Sequence, residues 1–151
     1  MPPVRFQLPL WPVLIWNLTV IAASIVYRRA RGKPVLFFSV PGASFMERTA
    51  SGCCTDRWWR KLGGANNCLV VAVTSERLVI RTWFPFNLLF LPEIFGLEYD
   101  VPLRSVVSAT WDRMFFRRCV RVRLRDANVD GDVSLFLKQP EEFIRLVTPG
   151  V

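Results

Sequence analysis

The chain has 151 residues, which is enough for one domain and a short appendage, and its 52% of hydrophobic residues exclude a disordered protein. The 20 Lys and Arg residues exceed the 12 Asp and Glu residues, and the resulting charge of +8 favours a polyanionic neighbour such as a membrane surface or nucleic acid. Histidine is absent, so the commonest general base and metal ligand are both missing.

The first predicted element is an apolar helix. Residues 6–27 contain no charged side chain, and a helix of that length spans about 33 Å, close to the roughly 30 Å of a hydrocarbon core. Pro9 and Pro12 lie in its first turns, where proline costs a helix least, so regular helix is expected to begin near Trp11. The segment predicts one transmembrane helix.

Positive charge follows this helix rather than preceding it. Only Arg5 comes before it, whereas four juxtamembrane cations come directly after it, namely Arg28, Arg29, Arg31 and Lys33. The positive-inside bias therefore predicts a single-pass protein of the cell (inner) membrane, with residues 1–33 as anchor and residues 34–151 as a cytoplasmic domain. Two alternatives are a cleaved signal peptide, favoured by small residues at 22–24, and a helix packed on the domain or on a partner.

The first part of the domain gives mixed signals. Residues 35–40 (VLFFSV) predict a short strand, which the turn dipeptide Pro41-Gly42 would close. The following stretch to Asn67 is polar and irregular. It predicts a strand near 44–49 and a short helical turn at 55–62 that contains two tryptophans.

A hairpin and an apolar loop follow. Residues 69–73 and 78–82 are rich in β-branched side chains and flank a polar turn, which predicts a β-hairpin. The next segment, residues 84–97, contains two prolines, which argue against a central strand. We expect it to form an apolar interface loop that enters the membrane interface, packs over the sheet or contacts another copy. Its predicted members are Trp83, Phe84, Phe86, Leu88, Leu89, Phe90, Leu91 and Phe95.

The last third predicts strands and a short helix. Residues 119–125 (CVRVRLR) alternate strictly between apolar and basic side chains, as in a half-buried strand. Asp130-Gly131 predicts a hairpin turn into a partner strand at 133–138. Residues 140–147 begin with proline and two glutamates, which predicts a helix with apolar residues turned inward.

Three segments together resemble a known pattern. VTSERLVI (73–80), VPLRSVVSA (101–109) and QPEEFIRLV (139–147) are similar in order and spacing to bacterial pleckstrin-homology-like and GRAM-like domains. The resemblance implies an α+β, mostly β fold, in which a C-terminal helix caps a bent antiparallel sheet or partly open barrel. It also implies a binding or scaffolding module without a shared catalytic set. Residues 43–67 and 84–97 depart from the pattern.

A cluster of six arginines is the main candidate binding surface: Arg113, Arg117, Arg118, Arg121, Arg123 and Arg125. Near a membrane anchor such a cluster would attract anionic headgroups by about 1 kcal/mol per charge. Alternatively it is a solvated strand face whose arginines pair with Asp130, Asp132 or Glu98. An acidic protein or nucleic acid is a further option, although the chain shows no recognition helix.

The four cysteines offer little chemistry. We expect Cys53, Cys54, Cys68 and Cys119 to be buried thiols, with a disulfide between Cys54 and Cys68 as the alternative. Cys53 or Cys54 would need an activating base to act as a nucleophile, and no histidine exists to provide one. We therefore expect no enzyme activity, no metal and no cofactor.

These observations predict a membrane-anchored, non-catalytic binding or scaffolding module. Its expected partners are the membrane that it spans, anionic lipid headgroups, and a protein partner or a second copy of the chain. An accessory subunit of a larger membrane enzyme complex is the main alternative. A nucleic-acid-binding domain is the weaker one.

Overall fold

The computed structural model describes residues 10–55, 64–88, 96–114, 116–126 and 129–148. These residues form an α+β fold, as predicted. The elements are α1 (Trp11–Ala30), β1 (Phe45–Cys54), β2 (Ala65–Val73), β3 (Arg77–Thr82), β4 (Tyr99–Pro102), β5 (Val106–Met114), β6 (Arg117–Asp126), β7 (Val129–Phe136) and α2 (Pro140–Val147). Short 3-10 turns at Phe86–Leu88 and Leu103–Ser105 precede β4 and β5, respectively.

All seven strands belong to one open antiparallel sheet. The strand order is β4-β3-β2-β1-β7-β6-β5, so β1 joins the first four strands to the last three. Strand β1 lies between the two groups. It pairs with β2 from Phe45 onwards, and its last residues, Ser51–Cys54, pair with β7. The sheet has two edges, β4 and β5.

The main core lies on one face of this sheet, beneath α2. The predicted alternation in β6 is confirmed, since Val120, Val122 and Leu124 are fully buried while the arginines between them are exposed. Helix α2 is also confirmed. It buries Phe143 and Val147 against the core.

Two other predictions are confirmed. Strands β2 and β3 form the predicted hairpin, and the strand expected near residue 44 is β1, which continues to Cys54. Helix α1 begins at Trp11, as expected from the two prolines, and its 20 residues correspond to about 30 Å. It ends before Gly32, which has a φ of +65° and lets the chain leave the helix in the left-handed region.

The predicted strand at residues 35–40 is wrong. This segment is irregular coil, and it packs on the face of β2 and β3 that is opposite the main core. Phe37 is buried against Val70, Ala72 and Val79, whereas its neighbours Leu36 and Phe38 are 63% and 50% exposed. A segment lying across a face cannot join the backbone ladder, because the hydrogen bonds of a sheet run only within its plane.

The predicted turn at Asp130-Gly131 is also wrong. Both residues lie inside β7, where Asp130 pairs with Arg125 and Gly131 with Leu124. The hairpin therefore continues to the pair Asp126 and Val129. The helical turn predicted at 55–62 falls almost wholly on residues 56–63, which lie outside the described part of the chain.

Candidate functional site

One arginine attaches the C-terminal end of α1 to the domain. Arg28 is only 1% exposed, although most of the helix before it is exposed. Its guanidinium donates to the Glu98 carboxylate at 2.8 Å, to the Asn87 carbonyl at 3.2 Å and to the Pro34 carbonyl at 3.1 Å. Ser24, one turn earlier on the same helix face, is also buried. This face of the last two turns is therefore part of the domain's packing.

Glu98 binds a second cation from the same segment. Lys33 Nζ lies 2.7 Å from Glu98 Oε2, and the Lys33 and Glu98 side chains are 34% and 11% exposed. Burial alone would raise the pKa of Glu98. The hydrogen bonds and charges of Lys33 and Arg28 together outweigh that effect, so the pKa lies below its ordinary value. Glu98 is therefore ionised at neutral pH and holds both cations.

Only half of the predicted juxtamembrane cations thus face solvent. Arg28 and Lys33 bind Glu98, whereas Arg29 and Arg31 are exposed. Arg31 lies 5.5 Å from the ring centre of Tyr27. We call Arg28, Lys33 and Glu98 the junction ion pairs.

The beginning of the predicted apolar loop packs on the domain. Trp83 and Phe86 meet edge to face with ring centres 5.0 Å apart, and Leu88 is buried. Asn87 is also buried and donates to the Val35 carbonyl at 2.7 Å. The described part of the loop therefore favours packing over the sheet among the three alternatives. The other predicted members, Leu89, Phe90, Leu91 and Phe95, lie outside the described residues.

The basic face of β6 is partly neutralised by acids on the neighbouring strands. Arg121 forms an ion pair with Asp112 of β5, and Arg123 Nε lies 3.9 Å from Asp132 Oδ1 of β7. Arg125 lies opposite another aspartate of β7 in the strand register. Most of this strand therefore follows the alternative reading of a solvated face with paired arginines.

The other three arginines lie at the tip of the β5–β6 hairpin. Arg113 and Arg118 are direct partners in the register, and the Arg117 guanidinium lies 5.1 Å from the ring centre of Phe136. Within the described part of the chain, none of the three makes an ion pair. We call Arg113, Arg117 and Arg118 the hairpin-tip arginines.

A cleft of about 340 Å³ lies beside the hairpin tip. Two aromatic side chains are exposed in this region: Trp111 is 49% exposed, and Phe116 in the turn is completely exposed. The residues that line the cleft are Trp111, Asp112, Arg113, Arg118 and Glu141. The tip thus combines unpaired cations with accessible aromatic surface.

The cysteines are free thiols, and all four are buried, as expected. Cys54 Sγ donates to the Gly96 carbonyl at 2.9 Å. Burial raises the pKa of the Cys68 and Cys119 thiols, which keeps them protonated and weakly nucleophilic. Among the described residues, no group of three or more Cys, Asp or Glu side chains could hold a metal ion.

Sequence reasoning missed the partner of Glu98. It considered Glu98 only as one of three acids that could pair with the arginines of β6, and it assigned Arg28 and Lys33 to the juxtamembrane cations. The structure instead joins Arg28 to Glu98 across 70 residues. The only sequence signal was that Glu98 is one of the few acids close to the apolar loop.

No protein-family model matches the sequence, and the comparison with curated proteins finds none that is significantly similar. The structure itself defines the class. It is an α+β chain with a seven-stranded open sheet and one N-terminal helix that is long and apolar enough to cross a membrane.

Proposed function

We propose that this chain is a membrane-anchored, non-catalytic binding module. Helix α1 crosses the bilayer, and the sheet domain lies at the cytoplasmic face of the cell membrane. The observation that carries the proposal is the exposure of α1, because only 11% of its apolar stretch is buried. A core helix of a soluble protein would be mostly covered. Lipid is the environment that removes this apolar surface from water.

The ends of α1 agree with this role. Trp11 and Trp16 are 65% and 70% exposed near its N-terminal end, where aromatic side chains meet headgroups. Arg29 and Arg31 are exposed at its C-terminal end, on the side expected to face the cytoplasm.

We further propose that the domain binds anionic lipid headgroups. The resemblance to pleckstrin-homology-like domains supports a binding role, and the exposed cations of the chain support an anionic partner. Arginine suits phosphate because its planar guanidinium donates two parallel hydrogen bonds.

A second candidate is an accessory subunit of a larger membrane complex. The observation that favours it is the exposure of strand β5. This strand forms an edge of the sheet, and its Val107 and Trp111 side chains are 57% and 49% exposed. An edge strand offers unpaired backbone groups to a strand of a partner protein.

The anchor is tested by extraction and topology measurements on the full chain. After washing with alkaline carbonate, the chain should stay with the membranes, and the domain should be digested by protease only in inverted vesicles. A variant with Leu14 and Leu18 both changed to Arg should be released, because each central charge costs about 2.5–3.5 kcal/mol on insertion. Release of the unmodified chain, or a mature N-terminus at residue 23 or later, would contradict the proposal.

A further inference from the structure

Two of the hairpin-tip arginines lie where an anion could bind between them. Arg113 and Arg118 are cross-strand neighbours on the same face, and like charges directly opposite each other destabilise a sheet. Elsewhere on β6 the arrangement differs, because Arg121 and Arg123 each have an aspartate partner. An anion placed between Arg113 and Arg118 would convert a repulsive pair into a binding site.

The turn between these arginines carries an apolar side chain. Phe116 is completely exposed and has a φ of +65°, in a region that non-glycine residues rarely adopt. Trp111 lies two residues before Arg113 on the same face of β5 and is half exposed. Cations next to exposed aromatic residues are typical of segments that lie in a membrane interface, where the rings meet the acyl boundary and the cations meet phosphates.

We propose that the β5–β6 hairpin tip is a second membrane contact, in which the hairpin-tip arginines bind lipid phosphate groups and Phe116 enters the interface. This inference deepens the proposed function and rests on it. If α1 crosses the bilayer, it holds the domain close to lipid, so a weak affinity of the tip for headgroups is sufficient.

Lipid fits the tip better than an acidic protein does. Acidic side chains would satisfy the arginines, but they would leave the fully exposed Phe116 unexplained. Glu141 lines the same cleft as Arg113 and Arg118, and it opposes the binding of an anion. Removal of its charge should therefore strengthen the contact, which a merely structural role of the cleft would not predict.

The test is hydrogen exchange of the full chain in nanodiscs of phosphatidylcholine, with and without phosphatidylglycerol. Phosphatidylglycerol should slow exchange at the hairpin tip, and added salt should reverse the effect. The double variant Arg113→Gln and Arg118→Gln should lose the protection, because each arginine removed should weaken lipid binding about fivefold. Phe116→Ser should weaken it, and Glu141→Gln should increase it.

A matched control removes two exposed arginines elsewhere. Arg104 and Arg145 are both exposed, and changing both to Gln should leave the protection intact. If the tip exchanges equally in both lipids while α1 stays protected, the tip proposal is wrong and the anchor stands. If α1 itself exchanges freely, the anchor is wrong. If polyglutamate protects the tip and phosphatidylglycerol does not, the partner is an acidic protein rather than lipid.

Discussion

Replacing Glu98 by Gln should separate α1 from the domain. Glu98 compensates two cations, one of which is nearly inaccessible, since Arg28 is 1% exposed and Lys33 is 34% exposed. Without the carboxylate, the buried Arg28 charge loses its 2.8 Å ion pair with Glu98, and Lys33 loses its own ion pair with the same carboxylate. Removing one partner of a buried ion pair costs about 3–5 kcal/mol. We expect the lower end, about 3 kcal/mol, because Lys33 is already partly hydrated.

The measurement is urea unfolding of the full chain in nanodiscs, followed by far-ultraviolet circular dichroism. If α1 spans the bilayer as proposed, it stays helical in the nanodisc, so the signal reports the sheet domain. Two variants calibrate the result. Lys33→Gln should cost no more than about 1 kcal/mol, because its side chain is partly exposed. The double variant Arg28→Met and Glu98→Gln should recover much of the loss, because it removes both charges of the buried pair.

Equal stabilities of the Glu98→Gln and Lys33→Gln variants would refute this reasoning. The same holds if the double variant is less stable than Glu98→Gln alone. Either result would mean that Arg28 is hydrated at the junction and that the carboxylate does not hold the helix to the domain.

Three further results are expected. Because the pKa of Glu98 is lowered in the folded state, its contribution to stability is complete above its unfolded value of about 4.3 and is lost as the pH falls below it. Urea unfolding measured at a series of pH values should show that the free energy of unfolding falls as the pH is lowered through this range. In the Glu98→Gln variant, the part of this fall that is due to Glu98 should be absent. Phe143→Ala should cost about 3–5 kcal/mol in the same assay, since the ring is completely buried. A water-soluble alkylating reagent should label Cys68 and Cys119 only as fast as the domain opens, and faster in Phe143→Ala; rapid labelling of the unmodified protein would contradict their burial.

The sequence predicted well those elements in which one face is buried, because the spacing of their apolar residues then matches the period of the strand or helix. In β6 the alternation of valine and arginine matches the two-residue period of a strand, and burial follows it from Val120 to Leu124. In α2, Phe143 and Val147 are four residues apart and share one helix face, which is the buried one. Local chemistry was sufficient because each element has a single buried face.

Predictions failed where neighbouring strands decide the structure. Residues 35–40 have strand-like composition, but only Phe37 is buried, against the back of β2 and β3. Asp130-Gly131 has the composition of a turn, yet the pairing of Asp130 with Arg125 carries it into β7. In both cases neighbouring strands override the local preference.

The candidate site could be predicted only in part. The six arginines were found from the sequence, but their division into a paired face and an unpaired tip depends on the register of β5, β6 and β7. The contact between Arg28 and Glu98 depends on the whole path of the chain, because it joins residues that are 70 positions apart.

The distance along the chain between Arg28 and Glu98 also has a consequence for biosynthesis. If α1 enters the membrane while the chain is being made, the Arg28 charge is present before Glu98 has been synthesised. It can then act with Arg29 and Arg31 to hold this end of the helix on the cytoplasmic side. Once the domain folds, Glu98 covers it. One arginine would thus orient the nascent helix first and become a buried structural residue afterwards.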